Sequence, residues 1–118
     1  MTGYIYTASG STLLKIRDDG YVESSSGSTL GRIHNGYVTK ANGSTIGRYS
    51  SSYLMSSSGS TLARISGNYL LSASGSTIAR ISGGYVSKAN GSTIARYSGI
   101  SDTVIIAAAI WFFTDLLR

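Results

Sequence analysis

The sequence predicts a mainly β protein: six repeats forming a sheet of about twelve short strands, followed by one hydrophobic helix. Three observations predict it. Gly-Ser-Thr occurs six times, at Gly10, Gly27, Gly43, Gly59, Gly75 and Gly91, spaced by 17 residues once and by 16 thereafter. A fixed period of this kind marks an array in which each unit is one supersecondary element. Each unit also holds two strand-like runs divided by turn residues, as in Tyr37-Val38-Thr39-Lys40 and Thr45-Ile46-Gly47-Arg48-Tyr49. The repeat then stops after Gly99, and an apolar run of different composition begins. The chain divides accordingly into an array over 1–100 and a helical segment over 101–118.

The N-terminal unit opens on Tyr4-Ile5-Tyr6 without a basic-then-apolar leader, so cytoplasmic synthesis is expected. Its 17-residue interval carries one residue too many for a strict face alternation. Arg17-Asp18-Asp19-Gly20 is the natural place for a bulge that absorbs it. In the later units Asn42-Gly43 and Asn90-Gly91 suit type I′ hairpin turns, which need positive φ at both central residues. Two six-residue strands and two two-residue turns add up to sixteen, an even repeat that keeps every unit the same way up. Proline, which would interrupt a strand ladder, is absent.

Pairing in this register sets Tyr37 opposite Arg48, Thr39 opposite Ile46, and Arg48 opposite Tyr53 across the next turn. One face then carries an alternating row of Tyr37, Tyr53, Tyr69 and Tyr85 with Arg32, Arg48, Arg64, Arg80 and Arg96. Beside it lies a row of Ile or Leu, with the variable partners Glu23, Thr39, Met55, Leu71 and Ser87. The opposite face carries Val38, Gly47, Leu54, Ala63, Leu70, Ala79, Val86 and Ala95, bordered by Ile33, Tyr49, Ile65, Ile81 and Tyr97. It is apolar and requires a cover. An antiparallel meander and a two-sheet β-solenoid both fit this pattern. The meander keeps equivalent arginines about 9.6 Å apart, whereas a solenoid stacks them at about 4.8 Å with no acid between them. The meander is preferred.

The last element begins at Ser101-Asp102, an N-cap, and runs through Thr103-Val104-Ile105-Ile106-Ala107-Ala108-Ala109-Ile110-Trp111-Phe112-Phe113. It is apolar on every side and should be buried all round. Sixteen residues from Thr103 span about 24 Å, short of the roughly 30 Å of a bilayer core, so a membrane anchor is marginal. A single sheet buries only one side of such a helix. The expectation is therefore a seam between copies built from Val104, Ile105, Ile106, Ile110, Trp111, Phe112, Phe113, Leu116 and Leu117.

Charge is distributed unevenly. The net charge is +5, yet residues 24–101 contain no carboxylate and seven cations: Arg32, Lys40, Arg48, Arg64, Arg80, Lys88 and Arg96. Such a face is either a solvated basic surface or a site for a polyanion. With no cysteine, disulfides and thiolate metal sites are excluded. His34 is the one histidine, the carboxylates do not cluster at ligand spacing, and glycine follows the repeat rather than a phosphate-loop pattern. The serines are turn and strand residues, so no catalytic triad is read from them. No catalytic residue, metal or cofactor is expected.

The units, with Gly-Tyr-Val and Gly-Ser-Thr-Ile-x-Arg-Ile as their landmarks, resemble short-period Gly-rich β-strand repeat proteins, many of them bacterial and without assigned activity. The resemblance covers residues 4–99 and implies a repeat architecture and no particular reaction. The functional expectation is a non-enzymatic structural protein that self-associates through open strand edges, the apolar sheet face and the helix, as a homo-oligomer or filament. The competing expectation is a module that binds nucleic acid or an acidic glycan along the Tyr/Arg row.

Overall fold

The computed structural model describes residues 3–100 and 102–114. Strands β1 (Gly3–Thr7) and β2 (Thr12–Ile16) form the first hairpin. Five more follow: β3 (Tyr21–Ser24) with β4 (Thr29–His34), β5 (Tyr37–Lys40) with β6 (Thr45–Tyr49), β7 (Tyr53–Ser56) with β8 (Thr61–Ser66), β9 (Tyr69–Ser72) with β10 (Thr77–Ser82), and β11 (Tyr85–Lys88) with β12 (Thr93–Ser98). Every strand runs antiparallel to its neighbours, and β1 pairs with β12 in the register Ile5 opposite Tyr97. The meander therefore closes into a barrel. This overturns both the solenoid alternative and the open edges, because a closed sheet has none.

The Gly-Ser-Thr motif marks one end of each hairpin, here called the tip end. In the third hairpin the Gly43 amide donates to Lys40 O at 2.9 Å and the Lys40 amide to Ser44 O at 2.8 Å. Gly43 has φ of +92° while Asn42 stays at negative φ. This is a type I turn followed by a left-handed residue, the three-residue hairpin loop, and not the type I′ turn expected at Asn42-Gly43. A Cβ at Gly43 would meet nothing within 4 Å, so backbone conformation rather than space calls for glycine there. The odd loop length is offset by a bulge in the returning strand. Val38 lies opposite Gly47 but Thr39 opposite Thr45, leaving Ile46 as the extra residue, so Thr39 does not face Ile46. Leu13, Leu30 and Ile46 are among these bulge residues, and they are half-buried against the core rather than aligned beside the tyrosines.

The other, base end carries the tight turns. Asn35 and Gly36 both have positive φ, +55° and +87°, so the type I′ turn occurs here. The first base loop is longer: Gly20 donates to Arg17 O and has φ of +93°, which absorbs the seventeenth residue at the expected corner. Strands are unequal, four residues outgoing and five or six returning in the later hairpins, rather than six and six.

The apolar face lines the lumen. Ile5, Val22, Val38, Leu54, Ala63, Leu70, Ala79, Val86 and Ala95 are fully buried there. Helix α1 (Thr103–Phe113) belongs to the same core, with Ile106, Ala107, Ala108, Ala109 and Ile110 at 1% exposure or less. Twelve strands about 4.8 Å apart and tilted by about 40° enclose a ring about 24 Å across between backbones. One layer of wall side chains leaves a channel about as wide as a single helix, roughly 10–12 Å. The helix fills it. The 34 × 34 × 22 Å dimensions are those of a squat disc.

Chain entry and exit are both specified. Ile100 lies against Gly3 at the base end, where a Cβ on Gly3 would collide with it. Asp102 caps the helix by accepting from the Val104 amide at 3.1 Å. At the far end Phe112 packs against Gly47 and Phe113 against Gly31, and a Cβ on either glycine would strike the ring. Of the residues expected to form a seam between copies, Val104, Ile106 and Ile110 are buried among the chain's own strands, and Ile105, Trp111, Phe112 and Phe113 are half-buried against the same core. Leu116 and Leu117 lie outside the described residues. No described helix is long and apolar enough to cross a membrane.

Candidate functional site: the outer wall

Side chains of a strand alternate between faces, so closing the apolar face inward turns the Tyr/Arg face outward. Among the described residues, Tyr21, Tyr37, Tyr53, Tyr69 and Tyr85 are the exposed large hydrophobic side chains, each between 37% and 48% accessible. Each lies opposite an arginine of its own hairpin, for example Tyr37 opposite Arg48 and Tyr53 opposite Arg64. The guanidinium carbons of Arg32, Arg48, Arg64, Arg80 and Arg96 stand 4.7, 5.5, 5.6, 5.9 and 5.5 Å from the ring centroids of Tyr21, Tyr37, Tyr53, Tyr69 and Tyr85. These are cation–π distances. Guanidinium N–H donors are the groups that recognise carboxylate, sulfate or phosphate; on Arg32 one of them, Nε, donates to the Asp19 carbonyl oxygen at 3.0 Å.

The sequence set lacks Tyr21, although it precedes Arg32 by the same eleven residues that separate Tyr37 from Arg48. The continuous alternating row does not form. Across each hairpin boundary the strands slide by two residues, placing Arg48 opposite Met55 and not Tyr53, and Arg64 opposite Leu71. That stagger is the tilt a barrel needs in order to close. The result is five discrete Tyr–Arg pairs set around the wall, separated by grooves. One groove holds Arg80, Ser82, Tyr85, Ser87 and Thr93, and another holds Ser52, Tyr53, Arg64, Ile65, Ser66 and Leu71.

Elsewhere, His34 is exposed at the end of β4. Among the described residues no three metal-ligating side chains converge. Carboxylates are confined to the first and last parts of the chain; Glu23, on β3, accepts from Arg17 Nη1 at 3.3 Å. Lys40, at the tip end, lines an opening of about 450 Å³ with Leu30, Ala41, Asn42, Ile46, Phe112 and Phe113.

A closed antiparallel barrel of repeated hairpins, plugged by its own C-terminal helix and bearing a ring of aromatic–cation pairs, defines a β-repeat protein built around an internal pseudo-symmetry. Residues 2–114 match the family model described as 5-fold beta-flower protein, and the chain belongs to that family. Five of its hairpins carry the Tyr–Arg stack, while the first, with Tyr4 opposite Lys15, lacks it. No curated protein and no solved structure matches the chain.

Proposed function

We propose that the protein is a non-enzymatic barrel whose outer wall binds an anionic polymer. The observation that carries this reading is the ring of five solvent-facing Tyr–Arg pairs, four of them wholly within a 78-residue stretch, 24–101, that holds no carboxylate to neutralise them. A repeated site of low individual affinity gains from multivalency when one polymer engages several copies in turn. The barrel is the rigid support that fixes their spacing. Binding to immobilised heparin, and the dependence of its affinity on salt, test the reading. Arg64→Ala with Arg80→Ala is expected to weaken retention and to lower the log–log salt slope by about one for each arginine removed. Equal retention of the double variant and the wild type refutes it.

A second reading is association of copies through the tip end, favoured by Leu30, Ile46, Phe112 and Phe113, all half-buried around the opening there. Light scattering decides it. The expected result is a mass above that of one chain that Ile46→Lys reduces, and a monomeric wild type removes the reading.

A further inference from the structure

The register repeats one set of positions at each boundary between the later hairpins. Its members are an arginine and the residue two positions later, the next tyrosine and the residue two positions later, and the threonine that opens the following strand. At the boundary of the fifth and sixth hairpins these are Arg80, Ser82, Tyr85, Ser87 and Thr93, around an open groove of about 370 Å³. Arg80 faces Ser87 and Ser82 faces Tyr85 across one strand pair, and Ser87 faces Thr93 across the next. Four of the five positions repeat with little change. The residue facing the arginine varies: Thr39, Met55, Leu71 and Ser87 occupy it in turn. Serine is the smallest of the four and carries a hydroxyl.

At two boundaries the chain's own side chains, Tyr6 and Glu23, stand at the position equivalent to Ser87. Between the sixth and first hairpins Tyr6 stands opposite Arg96. Its ring stacks beside Tyr4, with centroids 6.1 Å apart and an angle of 22°, and its hydroxyl lies 3.0 Å from Ser98 Oγ. Between the first and second hairpins Glu23 faces Lys15, and its carboxylate accepts from Arg17, which sits at the position of Ser82. One internal occupant is a hydroxylated ring against a tyrosine and a serine. The other is a carboxylate against cations. An external occupant combining both is a sugar ring that carries an acid.

We propose that the Arg80–Ser87 groove binds an acidic sugar unit of a uronic-acid glycan. The Arg80 guanidinium, held over Tyr69 at 5.9 Å, takes the carboxylate with its free N–H edge. Tyr85, 48% exposed, presents its ring beside the sugar. Ser82, Ser87 and Thr93 supply hydroxyls that exchange hydrogen bonds with those of the sugar. Ser87 is the specificity-determining position, because Leu71 in the same place of the neighbouring groove brings apolar bulk and no hydrogen-bonding group. The proposal rests on the polyanion reading and narrows it to a carbohydrate, against a nucleic acid, because the grooves are lined with small hydroxyls.

The test is calorimetry and amide-shift mapping on the full chain with tetragalacturonate, a neutral galactose tetrasaccharide, and a thymidine oligonucleotide of matched charge. Tetragalacturonate is expected to bind and to shift Ser82, Tyr85 and Ser87. The neutral sugar should not bind, and the oligonucleotide should bind at least about tenfold more weakly. Ser87→Leu copies a residue already present at the equivalent position, so it suits the fold; it should weaken tetragalacturonate binding about tenfold, and Leu71→Ser should strengthen it. If Ser87→Leu leaves the affinity unchanged, or the oligonucleotide binds as tightly through the same residues, the sugar assignment is overturned while the polyanion reading survives. Binding of neither anion removes both.

Discussion

Glycines in this chain do two unrelated jobs, and the structure separates them residue by residue. Those of Gly-Ser-Thr are set by conformation, at φ between +92° and +102° in open space. Gly31 and Gly47 have no such φ and are set by volume, since the rings of Phe113 and Phe112 occupy the place of their Cβ atoms. Gly47→Ala is therefore expected to destabilise by about 1–3 kcal/mol through overpacking, measurable by denaturant unfolding. Phe112→Leu in the same chain should recover part of the loss. Gly31→Ala should resist such rescue by Phe113→Leu, because its Cβ also meets the Thr39 carbonyl oxygen, which is backbone and cannot move aside. The tip loops show a comparable exchange of roles. Where Ser56 or Ser72 begins the loop, its Oγ accepts the amide four residues on; where Lys40 or Lys88 stands there, Asn42 or Asn90 accepts the equivalent amide instead.

At the scale of the element, the helix is the component on which the sheet depends. An isolated eleven-residue helix is marginal in water. Here an Asp102 cap starts it, and Thr114, donating its amide and hydroxyl to Ile110 O, ends it. Packing on all sides supplies the remaining stability. Deleting residues 102–118 should not release intact monomers from an assembly. It should leave an empty apolar lumen, seen as loss of cooperative thermal unfolding and as binding of a hydrophobic dye. A milder change, Ala108→Leu, inserts bulk at a fully buried position and should cost about 1–3 kcal/mol. A folded, cooperatively melting truncation would show that the wall is self-sufficient.

For the whole molecule, strand number and plug diameter must agree. Deleting one unit, residues 53–68, preserves the turn types of the remaining units and every Tyr–Arg pair but that of Tyr53 and Arg64. It also narrows the ring from about 24 to about 20 Å, by the same spacing and tilt. That leaves too little width for the helix and a layer of side chains, so the variant is expected to lose its cooperative melt. A variant that folds with native-like stability would contradict the size argument. Closure has a second consequence. It places the cationic pairs on a convex wall and spaces them around it, so one flexible anion is able to follow them in sequence. A small monovalent anion should bind far more weakly than a polymer of the same group.

The sequence by itself determined the period, the antiparallel hairpins, which face is greasy and which is cationic, the extra residue at Arg17–Gly20, and a helix that must be buried on every side. All of these are local: side-chain alternation, turn chemistry and composition are readable from neighbours along the chain. Tertiary structure alone decided that β1 meets β12, that the strands slide by two residues at each boundary between hairpins, and that the helix finds cover inside its own sheet. Closure depends on the sum of small tilts over twelve strands, and no single unit encodes that sum. The candidate grooves follow the same division. Tyr37 and Arg48 were legible as cross-strand partners within one hairpin, but the meeting of Arg80 with Ser87 and Thr93 depends on the stagger between hairpins, which only the closed barrel fixes.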